Sequence, residues 1–325
     1  MTEKVLSVQD LTMHYSTRKG DVSAVDDVSF DLRRGRSLGL VGESGCGKTS
    51  IAISLMRLLP DNAKILGGNV FLNGIDLNAL DDTDILEHRW KGIAMVFQAA
   101  MNALNPVYKV GDQIIEGLQT HFPDMTVDEG RKRVAELFVL VGLDPALMER
   151  YPHEYSGGMR QRAVIAMALS CKPDVIIADE PTTALDVIVQ DRILKKLREI
   201  QDDLDMAMIY ISHDIAVIAE VSDRIGVMYA GRMAELADAI DIFERPFHPY
   251  TFALMSAFPS IKGERRELVT LPGEPPDLLH PPPGCRFHPR CPNAIGICSE
   301  QDPEFKDHGR GHFAACWNPM EVKNG

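Results

Sequence analysis

The chain has 325 residues, 45% hydrophobic and 25% charged, a globular balance that excludes wholesale disorder and leaves room for one large domain plus an appendage. Its 34 basic and 47 acidic residues give a net charge of −13, so no nucleic acid partner is expected. The longest apolar run, residues 163–169, is far below the roughly 18 residues of a membrane helix, and the N-terminus lacks the basic and apolar stretches of a signal peptide; a soluble, cytosolic chain is expected.

In chain order, Val28, Phe30 and Leu32 alternate with polar residues, which predicts a half-exposed antiparallel strand. Residues 37–41 form a more continuously apolar, buried strand. It runs straight into Gly42-Glu43-Ser44-Gly45-Cys46-Gly47-Lys48-Thr49, a match to G-x-x-x-x-G-K-[ST]. A helix is predicted over 50–59, with Ile51, Leu55 and Leu58 on one face and Pro60 as its stop. Strand, loop and helix in this order are the setting a phosphate-binding loop requires. The glycines let backbone N–H groups turn toward the β- and γ-phosphates of a nucleotide. Lys48 supplies a cation, Thr49 offers its hydroxyl to Mg²⁺, and the helix N-terminus favours negative charge.

Further along, Tyr155-Ser156-Gly157-Gly158-Met159-Arg160-Gln161 precedes an apolar helical face over 163–169. Ser156 is placed to cap that helix, and the two glycines bare their N–H groups, so this is a second anion-binding helix start. Residues 175–178 read as a buried parallel strand ending in Asp179 and Glu180. At such a strand end Asp179 suits Mg²⁺, and Glu180, one residue on, suits a water aimed at a γ-phosphate. Val189, Ile193, Leu197 and Ile200 then have the spacing of one buried helix face, with Asp186 at its start.

The last part of the chain is different. Eleven of the 20 prolines and four of the six cysteines lie beyond residue 258, which divides the chain into a domain over 1–258 and an extension over 259–325. So loop-rich a tail needs cross-links, a metal centre or docking to a neighbour. Cys285, Cys291, Cys298 and Cys316 are separated by five, six and 17 residues. In a cytosolic chain such thiols read as metal ligands, with zinc and a four-thiolate iron–sulfur cluster both open; His288, His308 and His312 are close enough in sequence to replace a thiolate at zinc.

Taken together, these motifs resemble the nucleotide-binding subunits of ABC transporters, in the family's order over residues 4–258. The resemblance implies an α/β P-loop ATPase core with an antiparallel β subdomain and a helical subdomain over about 99–160. It adds Tyr15 as the adenine-stacking aromatic and extends the ATP contacts over Gly42, Ser44, Gly45, Cys46, Gly47, Lys48, Thr49 and Ser50. Gln98 becomes the Q-loop glutamine, touching ATP and Mg²⁺ alongside Thr49 and Asp179. Ser156, Gly157, Gly158 and Gln161 become the signature loop facing a partner's ATP, although Tyr155 stands where leucine is common and Met159 where glutamine is. Ala184-Leu185-Asp186 matches the D-loop. Glu180 and His213 take the catalytic roles, Glu180 on the water and His213 on the γ-phosphate.

The tail carries a narrower resemblance, through Arg245-Pro246-Phe247-His248-Pro249-Tyr250-Thr251, the stretch from Pro283 to Pro292 and the closing Ala314-Ala315-Cys316. It is similar to the extension of the ATPases of dipeptide, oligopeptide and nickel importers, of the type that binds a [4Fe–4S] cluster through four cysteines. That implies Cys285, Cys291, Cys298 and Cys316 as cluster ligands, with Zn²⁺ as the alternative. The implied protein is an ATP-hydrolysing subunit that drives import of peptides or related solutes. Its implied partners are a second ABC ATPase in a heterodimer, two transmembrane permease subunits and, through them, an extracytoplasmic solute-binding protein. Its implied place is the cytoplasmic face of the inner membrane. The competing expectation is a soluble ABC ATPase of DNA repair or translation.

Overall fold

A computed structural model describes residues 3–98, 103–183, 185–256 and 273–320; the boundary expected at 258 lies outside them. In chain order the elements begin with β1 (Lys4–Thr17), β2 (Gly20–Arg33), β3 (Ser37–Val41), α1 (Lys48–Leu55), β4 (Ala63–Leu72), β5 (Ile75–Asp76) and α2 (Asp84–His88). There follow β6 (Ile93–Val96), α3 (Val110–His121), α4 (Val127–Leu140), α5 (Gly157–Ala168), β7 (Val175–Asp179), α6 (Val187–Leu204) and β8 (Ala207–Ile211). The chain continues through α7 (Ile215–Val221), β9 (Arg224–Tyr229), β10 (Arg232–Asp238), α8 (Ala239–Glu244), α9 (Pro249–Ser256), β11 (Lys306–Asp307) and β12 (Phe313–Ala314). These elements form two compact units.

The first unit takes in residues 32–36 and 71–210 with the N-terminal residues up to Leu6. Its strands run in the order β6, β7, β8, and every residue of the three is buried. Burial on both faces is why these strands read as unbroken apolar runs. β6 and β7 are parallel, with Ile93 opposite Val175 and Val96 opposite Ala178. The helices α3 and α4 pack Ile114 and Leu118 with Val134, Leu137 and Phe138 in the interior. A reciprocal cap, Thr126 with Glu129, starts α4. Of the face expected on α6, Ile193, Leu197 and Ile200 are buried, while Val189 is only half-buried in the first turn.

The second unit comprises residues 7–31, 37–70 and the described part of 211–325. Here β2, β1 and β4 lie side by side, and Val28, Phe30 and Leu32 all face inward, as their alternation predicts. β3 pairs in parallel with β9, and β9 pairs antiparallel with β10, whose register shifts between Met233 and Glu235. The helix after the phosphate-loop motif runs over 48–55, not 50–59. It begins at once because Gly47 caps it in the left-handed region, and it ends because Arg57 turns to φ 49°, leaving Leu58 exposed.

The tail docks onto this unit by extending its sheet. β12 pairs with β10, Glu235 opposite Ala314, and β11 pairs with β12. Glu235 is fully buried. It accepts the N–H groups of Phe247 at 2.7 Å and His248 at 2.9 Å, and its carboxylate lies 2.6 Å from His312 Nε2. Three partners offset the desolvation of this carboxylate, as a buried charge requires. Arg286 reaches from the tail to the Ala230 carbonyl and the Asp26 carboxylate.

His248 is buried, and its Nδ1 accepts the N–H of Tyr250 at 3.0 Å. Burial lowers its pKa from 6.5 to about 4, against the opposing pull of Glu235. Below pH 6.5 the unfolded chain takes up a proton that the folded chain refuses until about pH 4. The stability that neutral His248 contributes is therefore present above pH 6.5 and lost as pH falls through that window. Urea unfolding should show a loss of about 2 kcal/mol between pH 7 and pH 5 from this residue, absent in His248→Asn.

Candidate functional site

In the second unit the loop over 42–49 folds as its glycines demand. Gly42 and Gly47 sit at φ 149° and 106°, and a Cβ at either would fall 2.2 Å from a backbone oxygen, of Met228 and Ala24 respectively. No other residue type meets both the conformation and the space. Lys48 is buried, and its Nζ donates to the carbonyls of Gly42 at 2.8 Å and Glu43 at 3.1 Å. Cys46 is buried beside that ammonium, and desolvation raises its thiol pKa. Ser44, Gly45 and Thr49 are exposed, which leaves the rim of the loop open to a ligand. The hydroxyl of half-buried Tyr15 is 3.3 Å from Ser50 Oγ, so the aromatic expected at adenine is tied to the start of α1. His213 is exposed in the short link between β8 and α7, next to Asp214, which caps α7.

In the first unit the register of β6 and β7 does the placing. With Val96 opposite Ala178, the two chains leave their strands so that Gln98 and Glu180 meet: Gln98 Nε2 donates to Glu180 Oε2 at 2.7 Å. Thr183 Oγ1 donates to the same oxygen at 2.9 Å, a contact the motifs did not reveal; its only sequence signal is a hydroxyl three residues on. Glu180 stands at φ 47°, a left-handed conformation that a non-glycine residue adopts at a cost, and such outliers cluster at functional sites. Asp179, the last residue of β7, is 1% exposed.

The signature-like segment is a capped helix start. Ser156 Oγ accepts the N–H of Met159 at 3.3 Å. A Cβ on Gly158 would lie 2.8 Å from Val189 on α6, so the glycine is also a packing requirement. Tyr155 is buried with its hydroxyl on the Leu147 carbonyl at 2.7 Å, and burial pushes that phenol far up in pKa; its presence in place of leucine is thus accommodated by one hydrogen bond. Gln161 is buried in α5. Asp186 caps α6 through the N–H of Val189 at 2.9 Å, while Ala184 of the expected D-loop lies outside the described residues.

Mg²⁺ prefers hard oxygen donors; of those expected for it, Asp179 and Gln98 lie in the first unit, where the Gln98 amide nitrogen serves Glu180, and Thr49 lies in the second. The tail thiols gather more loosely. All four are free, and the Cys285 N–H donates to the Cys298 carbonyl at 2.9 Å. Burial raises Cys285 to about 11 and Cys316 to about 12, and the field of the other three thiols adds to the rise at Cys316. Their softness suits iron–sulfur or zinc chemistry. Among the described residues, however, no three His, Cys, Asp or Glu side chains are arranged to hold a metal ion. The histidines expected as alternative zinc ligands are otherwise engaged: His312 pairs with Glu235, the His288 ring nitrogen lies on the Cys285 carbonyl, and the His308 ring packs against Phe247.

Comparison with known proteins meets this geometry from another side. Residues 25–183 match the ABC transporter family and residues 234–298 the C-terminal region of oligopeptide/dipeptide transporters. The chain is 48% identical to the dipeptide transport ATP-binding protein DppD of Bacillus subtilis, over 97% of this chain and 95% of that one. It is 44% identical to the oligopeptide transport ATP-binding protein OppD of Escherichia coli, over 98% and 94%. A solved dimer of the bacterial ABC transporter cassette MJ0796 superposes with a TM-score of 0.65 at 27% identity, covering 72% of this chain and 98% of that one. A post-hydrolysis state of the same cassette, bound to ADP and Pi, matches equally.

The protein therefore belongs to the ATP-binding subunits of ABC transporters, in their oligopeptide/dipeptide branch. Its fold is the P-loop ABC ATPase fold, α/β with an antiparallel β and a helical subdomain, and it is an ATPase. Full-length likeness to transport subunits displaces the soluble repair or translation ATPase. Among the described residues no helix is long and apolar enough to cross a membrane.

The cap at Ser156 gives a direct check on the local structure. Ser156→Ala should lower the stability of the isolated chain by about 1 kcal/mol in denaturant unfolding. No change would mean that the hydroxyl does not cap α5.

Proposed function

We propose that this subunit powers import of peptides, clasping ATP between its phosphate loop and the signature segment of a second, related ATPase. Glu180 carries the reading, because it stands at the end of a buried strand with its carboxylate aimed by Gln98 and Thr183. In this reading Gly42, Ser44, Gly45, Cys46, Gly47, Lys48, Thr49 and Ser50 bind the phosphates, and Tyr15 stacks on the base. Ser156, Gly157, Gly158 and Gln161 turn to the partner's nucleotide, and Asp186 lies at the seam. Two anion-binding helix starts on one chain make sense if they serve two nucleotides. Thr49, Asp179 and Gln98 would hold Mg²⁺, which would supply charge neutralisation on the phosphates. Glu180 orients and polarises the attacking water, His213 contacts the γ-phosphate, and Lys48 stabilises the charge that develops on it.

The likeness to dipeptide and oligopeptide transport proteins supports peptides as the solute class. It also supports two permease subunits and an extracytoplasmic binding protein as partners, with the ATPase at the cytoplasmic face of the inner membrane. Family habit favours a heterodimer. The domain over 1–258, with helices over about 99–160 that grip the permease, is the engine in this reading, and residues 259–325 are its extension. The crowding of Cys285, Cys291, Cys298 and Cys316 in the tail sequence, with the family resemblance, supports a structural [4Fe–4S] cluster there over Zn²⁺.

Two measurements test these assignments. In the assembled transporter, Glu180→Gln should bind ATP as before while turnover falls about 100-fold or more, the scale of a lost general base. Wild-type hydrolysis by that variant removes Glu180 from the role. Anaerobically purified protein should contain iron and acid-labile sulfide in equal amounts, lost on changing any of the four tail cysteines to serine. Stoichiometric zinc without sulfide would replace the cluster by a zinc site.

A further inference from the structure

One residue of the phosphate loop, Glu43, has every polar group committed, and two of its partners, Tyr250 and Arg290, come from the C-terminal region. Its backbone N–H donates to Tyr250 Oη at 3.0 Å, from α9. Its carbonyl accepts Lys48 Nζ at 3.1 Å. Its carboxylate takes both arms of the Arg290 guanidinium, Nη1 to Oε2 at 2.7 Å and Nη2 to Oε1 at 2.9 Å. This fork-to-fork pairing fixes orientation as well as distance, which a lysine would not do.

The mount behind these contacts is rigid. The Arg290 side chain is only 6% exposed, against 25% for Glu43. Nη1 also reaches Tyr229 Oη at 3.2 Å, and the guanidinium lies 5.8 Å from the centre of the Tyr229 ring. That ring packs in turn against Tyr250 and Phe287, at centroid distances of 4.7 and 5.1 Å. Arg290 itself sits in a short 3₁₀ turn, its N–H on the Phe287 carbonyl, between Cys285 and Cys291.

We infer that Arg290, together with Tyr250, is a positioning residue for ATP: through Glu43 it holds the phosphate loop, and the carbonyl that steadies Lys48, in the conformation that receives the phosphates. The extension thereby sets the nucleotide affinity of the site while contacting no nucleotide. A strongly bonded, nearly buried pair is a stiff link, and the loop backbone on its far side has no slack, since Gly42 is wedged against Met228. The inference rests on the phosphate loop being the ATP site, as proposed above.

The test uses the assembled transporter and reads ATPase kinetics together with the Kd of a non-hydrolysable ATP analogue. Glu43→Gln, nearly isosteric, and Arg290→Ala should each raise KM and Kd about tenfold with kcat within about twofold, inside the usual range for coupling between sites. The double variant should be no worse than either single one, because both remove the same link. Arg290→Lys, which keeps the charge and loses the fork, should fall between. Unchanged KM and Kd in Glu43→Gln overturns the inference, whatever happens to thermal stability, and so do effects that add in the double variant. If Arg290→Ala fails to assemble, Glu43→Gln decides alone. Lys48→Ala separates the two layers: if it binds and hydrolyses ATP like wild type, the ATP-site reading has failed. If it is inactive while Glu43→Gln binds normally, only the inference has failed.

Discussion

A carboxylate removed from water must be met by donors, and this requirement holds the tail to the second unit. Residues 273–320 have few apolar side chains to bury, with Phe287, Cys298 and Ala314 as the exceptions. Among the polar pairs that stand in their place are Arg286 on Asp26, Arg290 on Glu43 and His312 on Glu235. In these three, the carboxylate belongs to the nucleotide-binding part of the chain and its nitrogen partner to the tail. Removing one member of either arginine pair would strand a charge, so these pairs enforce a specific docking geometry more than they add net stability. Strand pairing between β10 and β12 then closes the arrangement with backbone hydrogen bonds.

Within the first unit a different constraint operates. Two parallel strands in fixed register end level with one another, so residues two positions beyond Val96 and Ala178 must meet. That is how Gln98 and Glu180 come to share a hydrogen bond across 82 residues of sequence. The left-handed backbone at Glu180 is the local cost of turning the carboxylate toward that glutamine, and Thr183 helps to hold it there.

Much of this was legible beforehand wherever the signal was local. The glycines at 42 and 47, the caps at Ser156 and Asp186, and the buried runs over 37–41 and 175–178 depend on backbone conformation, space or periodicity, all of which leave a mark in neighbouring residues. Helix α1 shows the limit. The apolar spacing runs on to Leu58, but one residue in the left-handed region, Arg57, ends the helix early, and no side-chain pattern announces it. His312 shows it again: four residues before Cys316 it resembles a zinc ligand, whereas a buried carboxylate 77 residues away holds its ring nitrogen.

The amino-acid order alone determined the phosphate loop, the acidic strand end, the capped Ser-Gly-Gly helix and the crowding of thiols in a proline-rich tail. Each is a short-range fact about which backbone shapes and charges neighbouring residues permit. Only the folded chain decided that Gln98 and Thr183 share Glu180, that the tail joins the sheet through β10, and that Tyr250 and Arg290 converge on Glu43. Apart from Thr183, three residues from Glu180, those pairings span tens to hundreds of residues. They are selected by strand register and by the need of each buried charge for a donor, and neither quantity exists until the chain has closed on itself.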